Sequence, residues 1–208
     1  MNKTKLLIEF ILIFVLPPLL IVLGVMSKVM IMPLMWLIAL YAYLHLRRAK
    51  VNVLAIDFDS QALYSILKRF LFIGAAINIF VFFYRPDLFL VLLKEEPLRW
   101  LELMILYPIL SAYTQEIVFR NFFFYRYEKL FEKRIVLFVV INALLFSYIH
   151  IVFENWVAVV FTFVGGVLFA LTFLKTRSTL LVSIEHSIYG NALYTLGLGY
   201  YFYHGSNI

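Results

Sequence analysis

Residues 113–126 read YTQEIVFRNFFFYR and place two ionisable side chains, Glu116 and Arg120, inside a long apolar run. An ionised side chain costs about 2.5–3.5 kcal/mol at the centre of a membrane helix, so such residues usually mark functional sites. Because the two residues are four apart, they lie on one face of a helix and can form an ion pair. A structural ion pair and a functional site are both open interpretations of this stretch.

The composition indicates an integral membrane protein. The chain has 208 residues, of which 64% are hydrophobic and 14% charged, and its mean hydropathy is +0.95, beyond the range of soluble globular proteins. It has no cysteine, which excludes disulfides, thiolate nucleophiles and Cys-ligated metals. The net charge of +6 comes from lysines and arginines in short loops, so it favours helix orientation over a nucleic-acid partner.

The apolar runs predict an all-α, polytopic membrane helix bundle with about seven transmembrane helices. A polar, cytoplasmic loop is expected at 47–69, and within it Asp59 is expected to cap a helix that continues through Arg69. Residues 1–97 would form N-terminal membrane helices, and residues 98–208 would form a separate functional core. The expected spans are residues 6–26, 29–46, 70–83, 98–126, 134–151, 156–173 and 178–203.

Two histidines lie inside expected spans, His150 in FSYIH and His186 in EHSIYGN. At 1.5 Å per residue, Glu116 lies about 15 Å along its helix from Arg126, and His186 lies about 16 Å from Lys175. His150 comes out deeper, about 24 Å from the start of its helix. Either histidine alone is most simply a packing residue. Together with Glu116, at similar depth, they predict a site.

A carboxylate with a neutral imidazole can bind and deprotonate a water molecule. A second imidazole and an amide can donate hydrogen bonds to an oxyanion, so the set suits hydrolysis of a carbonyl compound. One Glu and two His are also a ligand set of catalytic zinc, although the chain has no His-Glu-x-x-His motif. An ion or proton carrier would use the same buried groups as a relay.

The motifs together resemble the CPBP intramembrane protease family, which includes the type II CAAX prenyl endopeptidases and the Abi or bacteriocin-immunity proteases. That family's pattern is Glu-Glu-x-x-x-Arg, Phe-x-x-x-His and His-x-x-x-Asn on three membrane helices. The corresponding residues here are Gln115, Glu116, Arg120, Phe146, His150, His186 and Asn191. The resemblance implies a multi-pass protein of the bacterial cell membrane that cleaves a membrane-anchored peptide or protein within the lipid bilayer.

The resemblance also implies roles for the matching residues. Glu116 and His150 would activate water, and Arg120 would position Glu116. His186, with Asn191 or Ser187, would stabilise the oxyanion; Gln115 and Phe146 would support the site. No cofactor is expected to be required, and zinc, if bound, would be held by Glu116, His150 and His186.

Two positions depart from the family pattern. Gln115 replaces the first glutamate, and an amide cannot accept the proton of water. Gly190 stands at the expected asparagine position, with Asn191 one residue later. A glycine-centred bulge would be needed to bring Asn191 onto the face of His186. A catalytically impaired protein that acts in binding or immunity is therefore the alternative to a protease.

The loop charges predict a cytoplasmic N-terminus and an external C-terminus, leaving only Lys28, Arg85, Lys94 and Arg99 outside. In this cysteine-free chain, Ser60→Cys is expected to be protected from an impermeant thiol reagent added outside. Ser206→Cys is expected to react with it. Labelling of the first variant or protection of the second would contradict this topology.

Overall fold

The computed structural model describes residues 3–53, 59–131 and 134–202, and within these ranges the secondary structure is helical, without strands. The predicted all-α fold is thus confirmed. The helices are α1 Lys3–Val22, α2 Lys28–Arg48, α3 Ser60–Tyr84, α4 Val91–Glu95, α5 at residues 97–131, α6 Ile135–Phe153, α7 Trp156–Thr176 and α8 Thr179–Leu196.

Five of these helices, α1, α2, α3, α6 and α7, are long and apolar enough to cross a membrane. Helices α5, α6 and α8 carry the buried ionisable residues of the sequence motifs. The count of seven spans and the orientation of the termini stay predictions.

The cap expected at Asp59 is confirmed, because its side chain accepts hydrogen bonds from the backbone N–H groups of Gln61 and Ala62 (2.9 and 3.0 Å) and helix α3 begins at Ser60. The same helix continues without a break past residue 70, where the third span was expected to begin. The polar loop expected at 47–69 therefore shortens to 49–59, of which 54–58 lie outside the described residues. Helix α8 ends at Leu196, where Gly197 adopts a left-handed φ of 100°, and not at residue 203, which also lies outside them.

Wide π-helical turns interrupt α1 and α5 at proline-containing segments. In α1 the turn Ile11–Val15 precedes the adjacent prolines 17 and 18. In α5 the π turn Pro108–Ala112 begins at a proline, and a second π turn spans Ile117–Phe122. Proline has no N–H, so the carbonyl four residues earlier loses its helical partner. These turns let α5 continue past Pro108 with its polar residues directed inward.

The N-terminal helices share one hydrophobic core with the C-terminal helices. Phe14 of α1 packs against Phe119 and Phe123 of α5, with ring centroids 5.4 Å apart in each case. Glu9 of α1 accepts hydrogen bonds from Arg126 (2.6 Å) and from Tyr41 of α2 (2.9 Å). The motif-bearing helices are therefore packed directly against the part of the chain that carries no motif.

Helices α6 and α7 approach closely at Gly166. A Cβ atom on this residue would lie 3.0 Å from the Cα of Ala143, which is backbone and cannot move independently of α6. A Cβ on Gly165 would meet only the ring of Phe169, at 3.3 Å. The close contact between α6 and α7 therefore forms at Gly166 and not at Gly165.

We expect Gly166→Leu to lower the free energy of unfolding by about 1–3 kcal/mol, as overpacking does in other cores. Gly166→Ala should also destabilise, whereas the matched variant Gly165→Ala should not, since its methyl group meets only the edge of a side chain. Thermal unfolding in detergent provides the measurement. Equal melting temperatures for the two alanine variants would contradict the close contact.

Candidate active site

A cavity of about 670 Å³ lies between the N-terminal helices and α5–α8. One side is apolar and includes Met32, Met35 and Ile73 from α2 and α3. The opposite side carries polar groups from the motif-bearing helices. Among those lining the cavity are Tyr107, Ser111, Gln115, His150 and His186.

Glu116 and His186 form a carboxylate–imidazole pair. The Oε1 atom of Glu116 lies 2.8 Å from Nδ1 of His186, and the carboxyl group is completely buried. The second oxygen, Oε2, lies 3.2 Å from Nε of Arg120. An ionised carboxylate only accepts, so Nδ1 of His186 carries the hydrogen and Nε2 of the neutral ring has the free lone pair. This pair can hold an imidazole in one tautomer and stabilise its protonated form.

Arg120 supplies the charge that balances Glu116. Its guanidinium donates to Oδ1 of Asn142 at 2.8 Å, and lies over the rings of Phe146 and Phe169, 5.0 and 5.7 Å from their centroids. The fully buried side chain also contacts the carbonyl of Gly166, at 3.4 Å. Arg120 is thus fixed by α6 and α7 as well as by Glu116 on its own helix.

His150 reaches the same cavity from the end of α6, where the last turn Ile149–Phe153 tightens to a 3₁₀ helix. Its Nδ1 atom lies 2.7 Å from the carbonyl oxygen of Phe146. A carbonyl only accepts, so Nδ1 again carries the hydrogen and Nε2 is an acceptor. The Phe146 ring separates the histidines, with its centroid 5.1 Å from that of His150 and 5.5 Å from that of His186.

Adjacent residues Gln115 and Glu116 face different surroundings. Gln115 lines the cavity, and its Nε2 donates to the hydroxyl of Ser111 at 2.8 Å. Its Oε1 is buried and has no hydrogen-bond partner among the described residues. Glu116 instead has both oxygens directed at His186 and Arg120. The expected direct contact between Glu116 and a catalytic water is therefore not supported by the geometry, because the carboxylate is occupied and enclosed.

Asn191 and Ser187 are directed away from the cavity. Helix α8 is α-helical from Thr179 to Leu196, so the bulge expected at Gly190 does not form. Asn191 donates from Nδ2 to the carbonyl of Met104 at 3.2 Å, the carbonyl that loses its helical partner to Pro108. Ser187 donates to the carbonyl of Ser183 at 2.6 Å. Both side chains thus donate to backbone carbonyls in this structure, and their expected oxyanion roles stay predictions.

The sequence interpretation missed Asn142 and Tyr107. Asn142 is a polar residue inside an apolar span, four residues before Phe146 and eight before His150. This spacing places it on the same helix face as those two residues. Tyr107 lies at four-residue spacing from Ser111 and Gln115, so the three form a stripe along α5. In both cases, the four-residue spacing of a helix could have identified the residue from the sequence.

The expected zinc set does not fit the geometry. Across the described ranges, no three His, Asp or Glu side chains gather at metal-ligand spacing. Glu116 is occupied by a hydrogen bond from His186 and by the positive charge of Arg120. It is therefore unsuited to act as a third ligand beside the two imidazoles. That no cofactor is required stays a prediction.

We expect Glu116→Gln and Arg120→Gln each to lower the free energy of unfolding by about 3 kcal/mol or more, because each leaves one buried charge unpaired. The double variant, with two neutral amides, should lose less than the sum of the two single losses. Denaturant unfolding in detergent measures the three values. Additive losses would show that the ion pair is not coupled.

Comparison with known families gives one match. Residues 97–193 match the family model of the type II CAAX prenyl endopeptidase Rce1-like proteins. Searches of curated proteins and of solved structures gave no match. The matched segment contains α5 to α8 almost completely, with all the motif residues described above. It confirms the resemblance drawn from the sequence: in this membrane protein, residues 97–193 are similar to the Rce1-like family of proteases.

Proposed function

We propose that this protein is an intramembrane endopeptidase of the bacterial cell membrane, which hydrolyses a peptide bond in a membrane-associated protein. The observation that carries the proposal is the Glu116–His186 pair, with His186 facing the cavity. The apolar surface contributed by α1 to α3 suits the part of a substrate that lies in the bilayer. Membership of a protease family supports the same reaction class.

In the proposed reaction, Nε2 of His186 accepts a proton from a water molecule while the water oxygen attacks the peptide carbonyl carbon. Nε2 of His150 accepts a hydrogen bond from the same water. The carbonyl electron pair moves to oxygen, and collapse of this intermediate breaks the C–N bond. His186 then returns its proton to the leaving nitrogen. Glu116 stabilises the imidazolium between the two steps, as a carboxylate does in catalytic triads.

Arg120 acts indirectly in this scheme. It keeps Glu116 ionised and oriented, and its own position depends on Asn142 and the two phenylalanine rings. Gln115 does not transfer a proton. Its buried Oε1 can accept a hydrogen bond from water or from a substrate N–H, which is a positioning function.

A second candidate function is binding or immunity without proteolysis. The specific observation in its favour is that the cavity-facing member of the Gln115–Glu116 pair is the amide. Without a carboxylate in the cavity, deprotonation of water depends on the two imidazoles alone. The two functions differ in whether the cavity turns over a substrate or only holds it.

The purified protein in liposomes is expected to cleave a quenched peptide ending in a farnesylated CAAX sequence, or proteins of a bacterial membrane extract whose new termini are identified by mass spectrometry. His186→Ala should reduce the rate by at least about 100-fold, because loss of a general base costs two or more orders of magnitude. Matched liposomes with Ser187→Ala, which alters the neighbouring residue outside the cavity, should retain the rate.

Gln115→Glu distinguishes the two functions. If the natural protein cleaves neither the peptide nor the extract, while Gln115→Glu cleaves one of them, the natural protein is not a protease and the binding function replaces it. If both forms cleave, the two imidazoles suffice and the protease function stands. Cleavage by neither form would also overturn the proposed reaction.

A further inference from the structure

The polar groups around the cavity include few donors for an oxyanion. Both histidines use their Nδ1–H, one toward Phe146 and the other toward Glu116, so each neutral ring offers only an acceptor. Gln115 donates one of its two amide N–H bonds to Ser111. Hydrolysis at a carbonyl nevertheless requires a donor aimed at the oxygen on which charge develops. The proposed reaction thus needs a hydrogen-bond donor that the histidines do not supply.

Tyr107 places a hydroxyl group next to His186. Its ring packs edge-on against the His186 ring, with the centroids 5.9 Å apart and the planes at 80°. A second edge-on contact with Tyr194, at 5.3 Å, holds the ring from the other side. Tyr107 also shares one face of α5 with Ser111 and Gln115, and all three line the cavity. A neutral phenol in this position can donate to an oxygen beside Nε2 of His186.

Gly190 makes this position of Tyr107 possible. Gly190 lies one helical turn after His186, on the same face of α8. A Cβ atom there would lie 2.2 Å from Cε1, 2.4 Å from Cζ and 2.3 Å from the hydroxyl oxygen of Tyr107. Contacts this short do not occur, so a side chain at residue 190 would force the Tyr107 ring to shift from its place. The phenol therefore occupies the volume into which a side chain at 190 would project.

We propose that the Tyr107 hydroxyl is the oxyanion donor of this protein. We also propose that Gly190, which has no side chain, leaves the space that this hydroxyl occupies. The inference rests on the hydrolysis proposed above. During attack of water, the carbonyl electron pair moves to oxygen, and Tyr107 donates a hydrogen bond to that oxygen while keeping its own proton. All proton transfer remains with His186. Asn191, bonded to Met104, takes no part.

Tyr107→Phe removes the donor and keeps both ring contacts. We expect kcat to fall about 100-fold, the usual effect of losing one oxyanion donor, with KM and melting temperature little changed. Tyr194→Phe, which removes a hydroxyl from the neighbouring ring in the same cavity, is the matched control and should retain kcat. Rates are measured on the farnesylated peptide in liposomes or, if that is not cleaved, on the fastest product of the membrane extract.

A double substitution tests whether Tyr107 and a side chain at residue 190 would occupy the same volume. Gly190→Asn alone should lower both melting temperature and rate, because the new side chain overlaps Tyr107. Tyr107→Ala with Gly190→Asn should recover the melting temperature, and its rate should exceed that of Tyr107→Ala about 10-fold, because an amide donor returns to the vacated space.

The outcomes separate this inference from the proposed function. If the wild-type protein cleaves and Tyr107→Phe is equally fast, the donor assignment is wrong while the protease function stands. If Tyr107→Phe is slow only because KM rises or the protein melts earlier, the residue is structural and the assignment also fails. If neither the wild-type protein nor Gln115→Glu cleaves a substrate, the proposed hydrolysis fails first, and the donor assignment with it.

Discussion

The buried ion pair between Glu116 and Arg120 is the constraint on which the site depends. Neither charge can remain alone in a low-dielectric interior, so every group around them is arranged to balance one or the other. Arg120 donates a hydrogen bond to the amide oxygen of Asn142 and lies over two aromatic rings, while Glu116 accepts a hydrogen bond from Nδ1–H of His186. The same carboxylate that neutralises Arg120 therefore selects the tautomer of His186. The contacts of Glu116 therefore both stabilise the ion pair and fix the tautomer of the His186 imidazole.

Proline determines the second feature of the site. Pro108 opens a π turn in α5 and leaves the carbonyl of Met104 without a helical donor. Asn191 supplies that donor, which removes its amide from the cavity. Because α8 continues as a regular helix, Gly190 then presents a surface without a side chain, and Tyr107 fills it. A single residue without an N–H thus frees the backbone carbonyl to which Asn191 donates.

Much of the fold could be predicted from sequence. Hydropathy located the apolar helices, and four-residue spacing identified Glu116 with Arg120 and Phe146 with His150. Tertiary arrangement could not be obtained from spacing alone. That Gln115 faces the cavity while Glu116 faces Arg120 depends on the rotation of α5 at the π turn Pro108–Ala112, which shifts the register of the residues after it. Likewise, the spacing along one helix does not show that the ring of Phe146 lies between His150 and His186, with centroids 5.1 and 5.5 Å from theirs.

The N-terminal helices contribute to the cavity without carrying a motif. Residues 1–97 contain none of the motif residues, yet α1 packs on Phe119 and Phe123, and side chains from α1, α2 and α3 line the cavity that holds both histidines. Apolar surface of this kind needs only volume and hydrophobicity, which many sequences satisfy, so it leaves no short pattern. The polar side of the cavity requires particular donors and acceptors at particular positions. A recognisable motif therefore reflects the chemistry of the site, while much of the apolar wall of the cavity comes from sequence that resembles nothing specific.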